Sequence, residues 1–184
     1  MGGVCKLKGK ITRDIKEGPS CTDNFQILEN KFKYDGQEWH SAEQAYQASK
    51  FDRGSDRYLK ILSASPDNQI DWEYGEHVWK LGQLGEIKED WDDIKIKNML
   101  LINMHKFAGN KELQEDLLST KGYRIEGAPS TWEWQKWNGL IMSSIRNHIQ
   151  QDRHFETTGG LERRIEHLST KSQIEIMKIL ESFE

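Results

Sequence analysis

The sequence predicts an α+β fold: one mainly helical domain carrying a small antiparallel sheet. Two observations point that way. Short apolar-polar runs flank an Asp35-Gly36 turn signal early in the chain, and helical spacing of apolar residues dominates the remainder. The absence of any internal repeat or low-complexity stretch across the 184 residues makes a single core the simplest organisation.

Residues 1–22 read as a polar, Gly-containing N-terminal extension with a short strand near Val4–Ile11, closed by the turn Gly18-Pro19-Ser20. Asn24–Leu28 and Lys31–Tyr34 suit short strands, and Gln37-Glu38-Trp39 completes a hairpin across Asp35-Gly36. Ser41 is a good N-cap for a helix running to about Phe51, because its hydroxyl can accept from a backbone N–H left free in the first turn. Ser55–Leu62 reads as a second helix. Ser65-Pro66-Asp67 can start a further short one, and the segment around Val78–Gly82 packs closely through its glycine.

The clearest amphipathic helix is Trp91–Phe107, with Trp91, Ile94, Asn98, Leu101, Ile102 and His105 recurring every three or four residues. On that stripe His105 is expected as a core histidine. Lys111–Leu118 is another helix and Tyr123–Glu126 a last strand. Gly127–Ser130 breaks the chain before the aromatic run Trp132–Trp137, and Asn138–Met142 leads into a helix ending near Gln150. Residues 23–150 form the main domain. Residues 151–184 are expected as a C-terminal helical extension packed on it, with a stripe of Ile174, Met177, Leu180 and Phe183.

Composition narrows the function. With 35% hydrophobic and 30% charged residues the exterior is heavily charged. A net charge of −4 argues against strong non-specific nucleic-acid binding, which rests on Lys and Arg neutralising phosphates, but leaves room for contact with one modified base. Seven Trp are expected mainly as packing residues. Cys5 and Cys21 without a secretory apolar segment fit a reducing, cytoplasmic setting. No apolar run is long enough to span a membrane. Met1-Gly2-Gly3-Val4-Cys5-Lys6 has Lys where a myristoylation signal needs Ser or Thr. The scattered His residues lack metal-ligand spacing, so neither metal nor cofactor is implied. The chain is expected to act as a monomer.

The first helix carries the candidate chemistry. Glu43 and Lys50 lie seven residues apart, roughly two turns, so they project from one face about 10 Å apart along the axis. Tyr46 and Gln47 occupy the turn between them, and Trp39 and Phe51 flank the stretch. Residue types alone favour a solvated helix face. A carboxylate and an amine among aromatic side chains is also what a partly apolar catalytic cleft would show.

These residues resemble the NADAR family, also described as YbiA-like, over roughly residues 23–150. The matching positions are Asn24-Phe25, Gly36 to Trp39, then Glu43, Tyr46, Gln47, Lys50 and Phe51. Leu81-Gly82, Trp91 and Met99 to Phe107 come next, then Leu113, Leu117, Leu118, Thr120, Glu126 and Trp134. Asn138-Gly139-Leu140-Ile141-Met142 and Arg146 complete the series. Each is weak alone; their order and spacing make the resemblance specific.

The resemblance implies hydrolysis of N-glycosidic bonds at ribose-phosphate groups. One branch is similar to enzymes that remove ADP-ribose from guanine bases. Another acts on ribosylamino-pyrimidine intermediates of riboflavin synthesis, and a non-catalytic ADP-ribose-binding module is the third reading. Carried over by motif, Lys50 and Glu43 are the catalytic candidates, as Schiff-base nucleophile and acid/base. Trp91 and Trp134 are ligand-site aromatics, and Asn24 and Phe25 would line the ribose or phosphate end. Tyr46, Gln47 and Asn138 are further substrate-binding candidates. The expected substrate partner is an ADP-ribosylated guanine nucleotide or nucleic acid.

Departures from the family pattern matter too. Thr131 stands where many members carry an acidic residue, Gln135 replaces a glycine, and Gln83 stands where a basic residue is common. Thr131 is a third catalytic candidate, one that can orient water or a ribose hydroxyl but cannot act as a base. Either Glu133 supplies the missing carboxylate or Glu43 and Lys50 suffice. The riboflavin-type reading leans most on that acidic residue.

Overall fold

The computed structural model describes residues 2–130 and 132–151, and it has the expected α+β class. Its strands are β1 (Lys6–Gly9), β2 (Ile15–Glu17), β3 (Phe32–Tyr34), β4 (Gln37–Trp39) and β5 (Tyr123–Glu126). Its helices are α1 (Ala42–Ser49), α2 (Asp56–Leu62), α3 (Asp71–Leu81), α4 (Trp91–Phe107), α5 (Lys111–Leu118) and α6 (Trp132–Gln151). The described residues fall into two compact units. One holds Gly2 with Asn24–Lys106, and the other holds Gly3–Asp23 with the residues from Phe107 onward. Thr131 and the expected C-terminal helix lie outside the described residues.

In the first unit, β3 and β4 pair antiparallel with Phe32 opposite Trp39 and Tyr34 opposite Gln37. Asp35 (φ 49°) and Gly36 (φ 67°) both take left-handed backbone, the geometry a two-residue hairpin loop needs and Asp-Gly tolerates. The Trp39 indole N–H donates to the Tyr34 carbonyl at 3.0 Å, so its large apolar body is buried without stranding its donor. The Ser41 hydroxyl then accepts from the Gln44 N–H at 3.1 Å and starts α1 as the sequence predicts.

Helix α1 is buried from Ala42 through Gln47 to Ala48, on every side rather than along one stripe. Ala42, Ala45 and Ala48 let neighbours approach, while Gln44 turns its amide onto the end of α2. Its Nε2 donates to the carbonyls of Ile61 (3.0 Å), Leu62 (3.3 Å) and Ala64 (3.0 Å).

Two local expectations in this unit give way to tertiary bonding. Asn24–Leu28 is not a strand, because its backbone groups bond elsewhere. The Asn24 carbonyl accepts from Glu43 N–H (2.9 Å), and Ile27 N–H and Leu28 N–H donate to Asp71 Oδ1 (2.9 Å) and the His40 carbonyl (2.8 Å). No helix starts at Ser65-Pro66-Asp67 either. Asp67 is left-handed (φ 44°), which ends a single turn closed by Gln69 N–H on the Pro66 carbonyl. The helix begins instead at Asp71, where Glu73 accepts from the Ile70 N–H at 3.3 Å.

Helix α4 buries a face that overlaps the expected one only in part. Trp91 and Ile102 of the expected stripe are buried together with Ile96, Met99, Leu100, Asn103, Met104, Lys106 and Phe107, whereas Ile94, Asn98, Leu101 and His105 are only partly so. His105 packs edge-on to Tyr34, with ring centroids 5.3 Å apart.

In the second unit β1 is the middle strand of an antiparallel sheet ordered β2-β1-β5. Leu7 pairs with Ile125, and both are buried. The strand expected near Val4–Ile11 is thus present as β1 and supplies the sheet's centre rather than an extension, and β2 is a strand its polar sequence does not announce. Helix α6 begins at Trp132, six residues before the expected Asn138, and takes the aromatic run into its first turns. Its Gly139 lies against the β5 backbone, where a Cβ would come 2.6 Å from the Ile125 carbonyl oxygen. The Arg146 guanidinium donates through Nη1 to the carbonyls of Thr120 (2.9 Å) and Tyr123 (3.0 Å) and to the Thr120 hydroxyl (3.0 Å).

Candidate active site on the first helix

Glu43 sits in the first turn of α1, where its backbone N–H would lack a helical partner, and the Asn24 carbonyl accepts it. Its side chain is only 2% exposed. Gln47, one turn on, donates Nε2 to Glu43 Oε1 at 2.6 Å. The other amide atom, Gln47 Oε1, is buried without a hydrogen-bond partner.

Lys50 caps the C-terminal end of α1 with helical backbone angles, so the one-face relation to Glu43 persists past the last residue of the helix. Its ammonium donates to the Gly82 carbonyl at 3.3 Å and stands 5.9 Å from the Tyr46 ring centroid. Burial holds the Lys50 amine below the usual lysine range, against the opposing pull of the Glu43 charge. The segment after α3 is tied down beside it: Lys88 donates its N–H to the Lys50 carbonyl (2.9 Å) and its ammonium to that of Ser49 (3.2 Å). A cation on these last carbonyls also complements the helix dipole.

Tyr46 lies between the two candidates. Its ring meets Trp91 at a centroid distance of 5.1 Å and an angle of 55°, and Trp91 itself is 6% exposed. Burial first, then the charges of Glu43 and Asp92, push the Tyr46 phenol far above its ordinary value, so it stays a neutral hydroxyl. Asn24 is buried and accepts at Oδ1 from Asn103 Nδ2 at 3.0 Å. Asn103 also donates to the Met99 carbonyl at 3.1 Å, and its own Oδ1 has no partner. Phe25 is buried against Trp72, with centroids 5.7 Å apart.

Of the residues singled out from sequence, Glu43, Lys50, Tyr46, Gln47, Asn24, Phe25 and Trp91 all belong to this unit. Trp134 and Asn138 belong to α6 of the other unit and are partly buried there; Glu133 is exposed. Thr131 lies outside the described residues. Sequence reasoning missed Asn103, and it read Gly82 as a packing glycine rather than as the Lys50 acceptor. Asn103 sits one position off the apolar stripe expected for α4, and only its bond to Asn24, 79 residues away, reveals it.

The second unit holds a separate cleft of about 420 Å³ lined by Lys8, Gly9, Lys10, Arg124, Glu126, Ser143 and Arg146. Its cations are largely committed: Lys8 pairs with Glu126 at 2.7 Å, and Arg146 holds the start of β5. It is lined by neither Glu43 nor Lys50. Among the described residues, no group of three or more His, Cys, Asp or Glu could hold a metal ion, and no helix is long and apolar enough to cross a membrane.

Known proteins share this architecture. A family model described as the NADAR domain matches residues 17–149, well over half of the chain. The NMR structure of the E. coli protein YbiA is similar, with a TM-score of 0.59 at 20% identity, covering 73% of this chain and 80% of that one. At that identity the likeness concerns the fold. No curated protein matches in sequence.

Proposed function

The chain belongs to the NADAR family, which is associated with N-glycosidase activity, and from that premise we propose that it hydrolyses the N-glycosidic bond between ADP-ribose and a guanine base. Lys50 is the nucleophile and Glu43 the acid/base in this reading. The observation that carries it is the pairing on one helix face of a buried carboxylate with an amine whose proton burial has loosened. A solvated helix face would offer neither.

The neutral Lys50 amine attacks the anomeric carbon. The glycosidic C–N bond breaks, its electron pair leaves with the base, and Glu43, which has taken up the proton that Lys50 released on becoming neutral, passes it to the base. The resulting glycosylamine opens to an iminium as the ring C–O bond breaks, and the proton shed by Nζ passes to the ring oxygen. Water adds to the iminium carbon, giving one proton back to Glu43. The remaining hydroxyl proton goes to Nζ as the amine leaves, and the freed aldehyde recloses on the ring hydroxyl. Water is consumed, and Lys50 and Glu43 return to their starting states. Tyr46, backed by Trp91, forms a wall beside the Lys50 amine, and burial is what favours the neutral form there.

The test is release of ADP-ribose from a guanine-ADP-ribosylated oligonucleotide, monitored by mass spectrometry, with Glu43→Gln and Lys50→Ala alongside. Release by the wild type and not by the variants supports the proposal. Tight binding of ADP-ribose without release would indicate a binding module. Turnover of a ribosylamino-pyrimidine phosphate instead would move the substrate assignment to the other branch.

A further inference from the structure

We propose that Gly82 and the Gln47 amide form one positioning device that holds Glu43 and Lys50 in register, Gly82 by leaving room for the amide and by lending its carbonyl to the amine. This deepens the reading above and rests on it for the roles of the two residues. Gly82 ends α3 at φ −77° and ψ −3°, backbone that any L-residue adopts, so no turn requires a glycine here. Space does. A Cβ on residue 82 would overlap Gln47 Oε1 and lie 2.7 Å from Gln47 Cδ and 3.0 Å from Gln47 Cβ. Gln47 is 2% exposed and its amide is fixed at the other end by Glu43, so it cannot swing aside into solvent. The same residue 82 accepts from Lys50 Nζ through its carbonyl. A single atom's growth at this position therefore presses on the partner of the carboxylate and on the acceptor of the amine together.

The amide suits an acid/base. An ionised carboxylate only accepts, and Gln47 presents it with Nε2–H; a protonated carboxyl donates, and the same amide turned over presents Oε1. The terminal amide torsion is broad and roughly two-fold, so the turn needs no backbone movement. Oε1 has no competing partner in the described arrangement, which leaves it free for that exchange. Glu43 can then be held in one place through both halves of the proton cycle.

The experiment compares wild type, Gly82→Ala, Gln47→Ala and the double variant. Kinetics on the guanine-ADP-ribosylated oligonucleotide should show kcat lowered about 100-fold in each single variant with KM within about twofold, the loss expected of misplacement by about an ångström. The double variant should be no worse than Gln47→Ala, because the new methyl then occupies vacated space. Additive losses, or losses confined to KM, overturn the proposal. A second readout needs no substrate: the Gln47 side-chain NH₂ resonances should be exchange-protected in the wild type and lose protection in Gly82→Ala. Fast exchange in the wild type, or no change in Gly82→Ala, overturns the device. If the wild type releases no ADP-ribose, the functional reading fails on kinetics while the resonances still decide this one.

Discussion

Gln44→Met isolates what one buried amide contributes to the frame of the candidate site. Gln44 is fully buried. Its Oε1 accepts from the His40 N–H at 2.9 Å, and its Nε2 serves the carbonyls of Ile61, Leu62 and Ala64. Methionine fills nearly the same volume, so little cavity cost is added. The loss is polar. The Ile61 carbonyl keeps the Ala64 N–H at 3.1 Å, so His40, Ile61, Leu62 and Ala64 each lose one hydrogen bond of about 0.5–1 kcal/mol rather than the full cost of a stranded buried group. The total comes to about 3 kcal/mol. For a chain of this length that corresponds to a fall in Tm of about 6–12 °C, read by thermal unfolding with circular dichroism. A loss below about 1 kcal/mol would refute the reasoning, because the amide would then not be what terminates α2 and anchors it to α1.

The geometry sets two further outcomes. Burial lowers the Lys50 value, so the folded state holds that proton less tightly than the unfolded chain does. Activity should therefore rise with pH and level off below the ordinary lysine value of 10.5, and Lys50→Met should remove the stability gain that appears as pH rises from the folded value toward 10.5; a rate limb at 10.5 or above would contradict this. Arg146→Met removes three hydrogen bonds to Thr120 and Tyr123 and should cost about 2–4 kcal/mol in urea unfolding, with amide exchange accelerating first in β5; unchanged exchange there would argue against its bracing role.

Local chemistry was readable and long-range partnership was not. Asp35-Gly36 prescribes left-handed backbone and so a two-residue hairpin. The Ser41 and Ser55 caps mark where α1 and α2 start, and spacing with turn residues marks the bounds of α5 and β5. Asn24–Leu28 has strand-like residues but commits its hydrogen bonds to α1, α3 and His40, and nothing in a five-residue window encodes that. The polar helix α1 looks half-solvated in sequence. It is buried throughout because Gln44, Glu43 and Gln47 find partners on neighbouring segments and on each other. For the candidate site, seven-residue spacing suffices to place Glu43 and Lys50 on one face. The role of Gly82 depends on where α3 ends relative to α1, 32 residues along the chain from Lys50, and only the fold supplies it.

The central claim is that Lys50 makes a covalent bond to the sugar, and reductive trapping tests it most directly. The protein is mixed with a guanine-ADP-ribosylated oligonucleotide and borohydride, digested, and mapped by mass spectrometry. The account predicts an ADP-ribose adduct on the Lys50 peptide in the wild type and none in Lys50→Ala. Release of ADP-ribose with no trapped adduct, or with the adduct on another lysine, would contradict it.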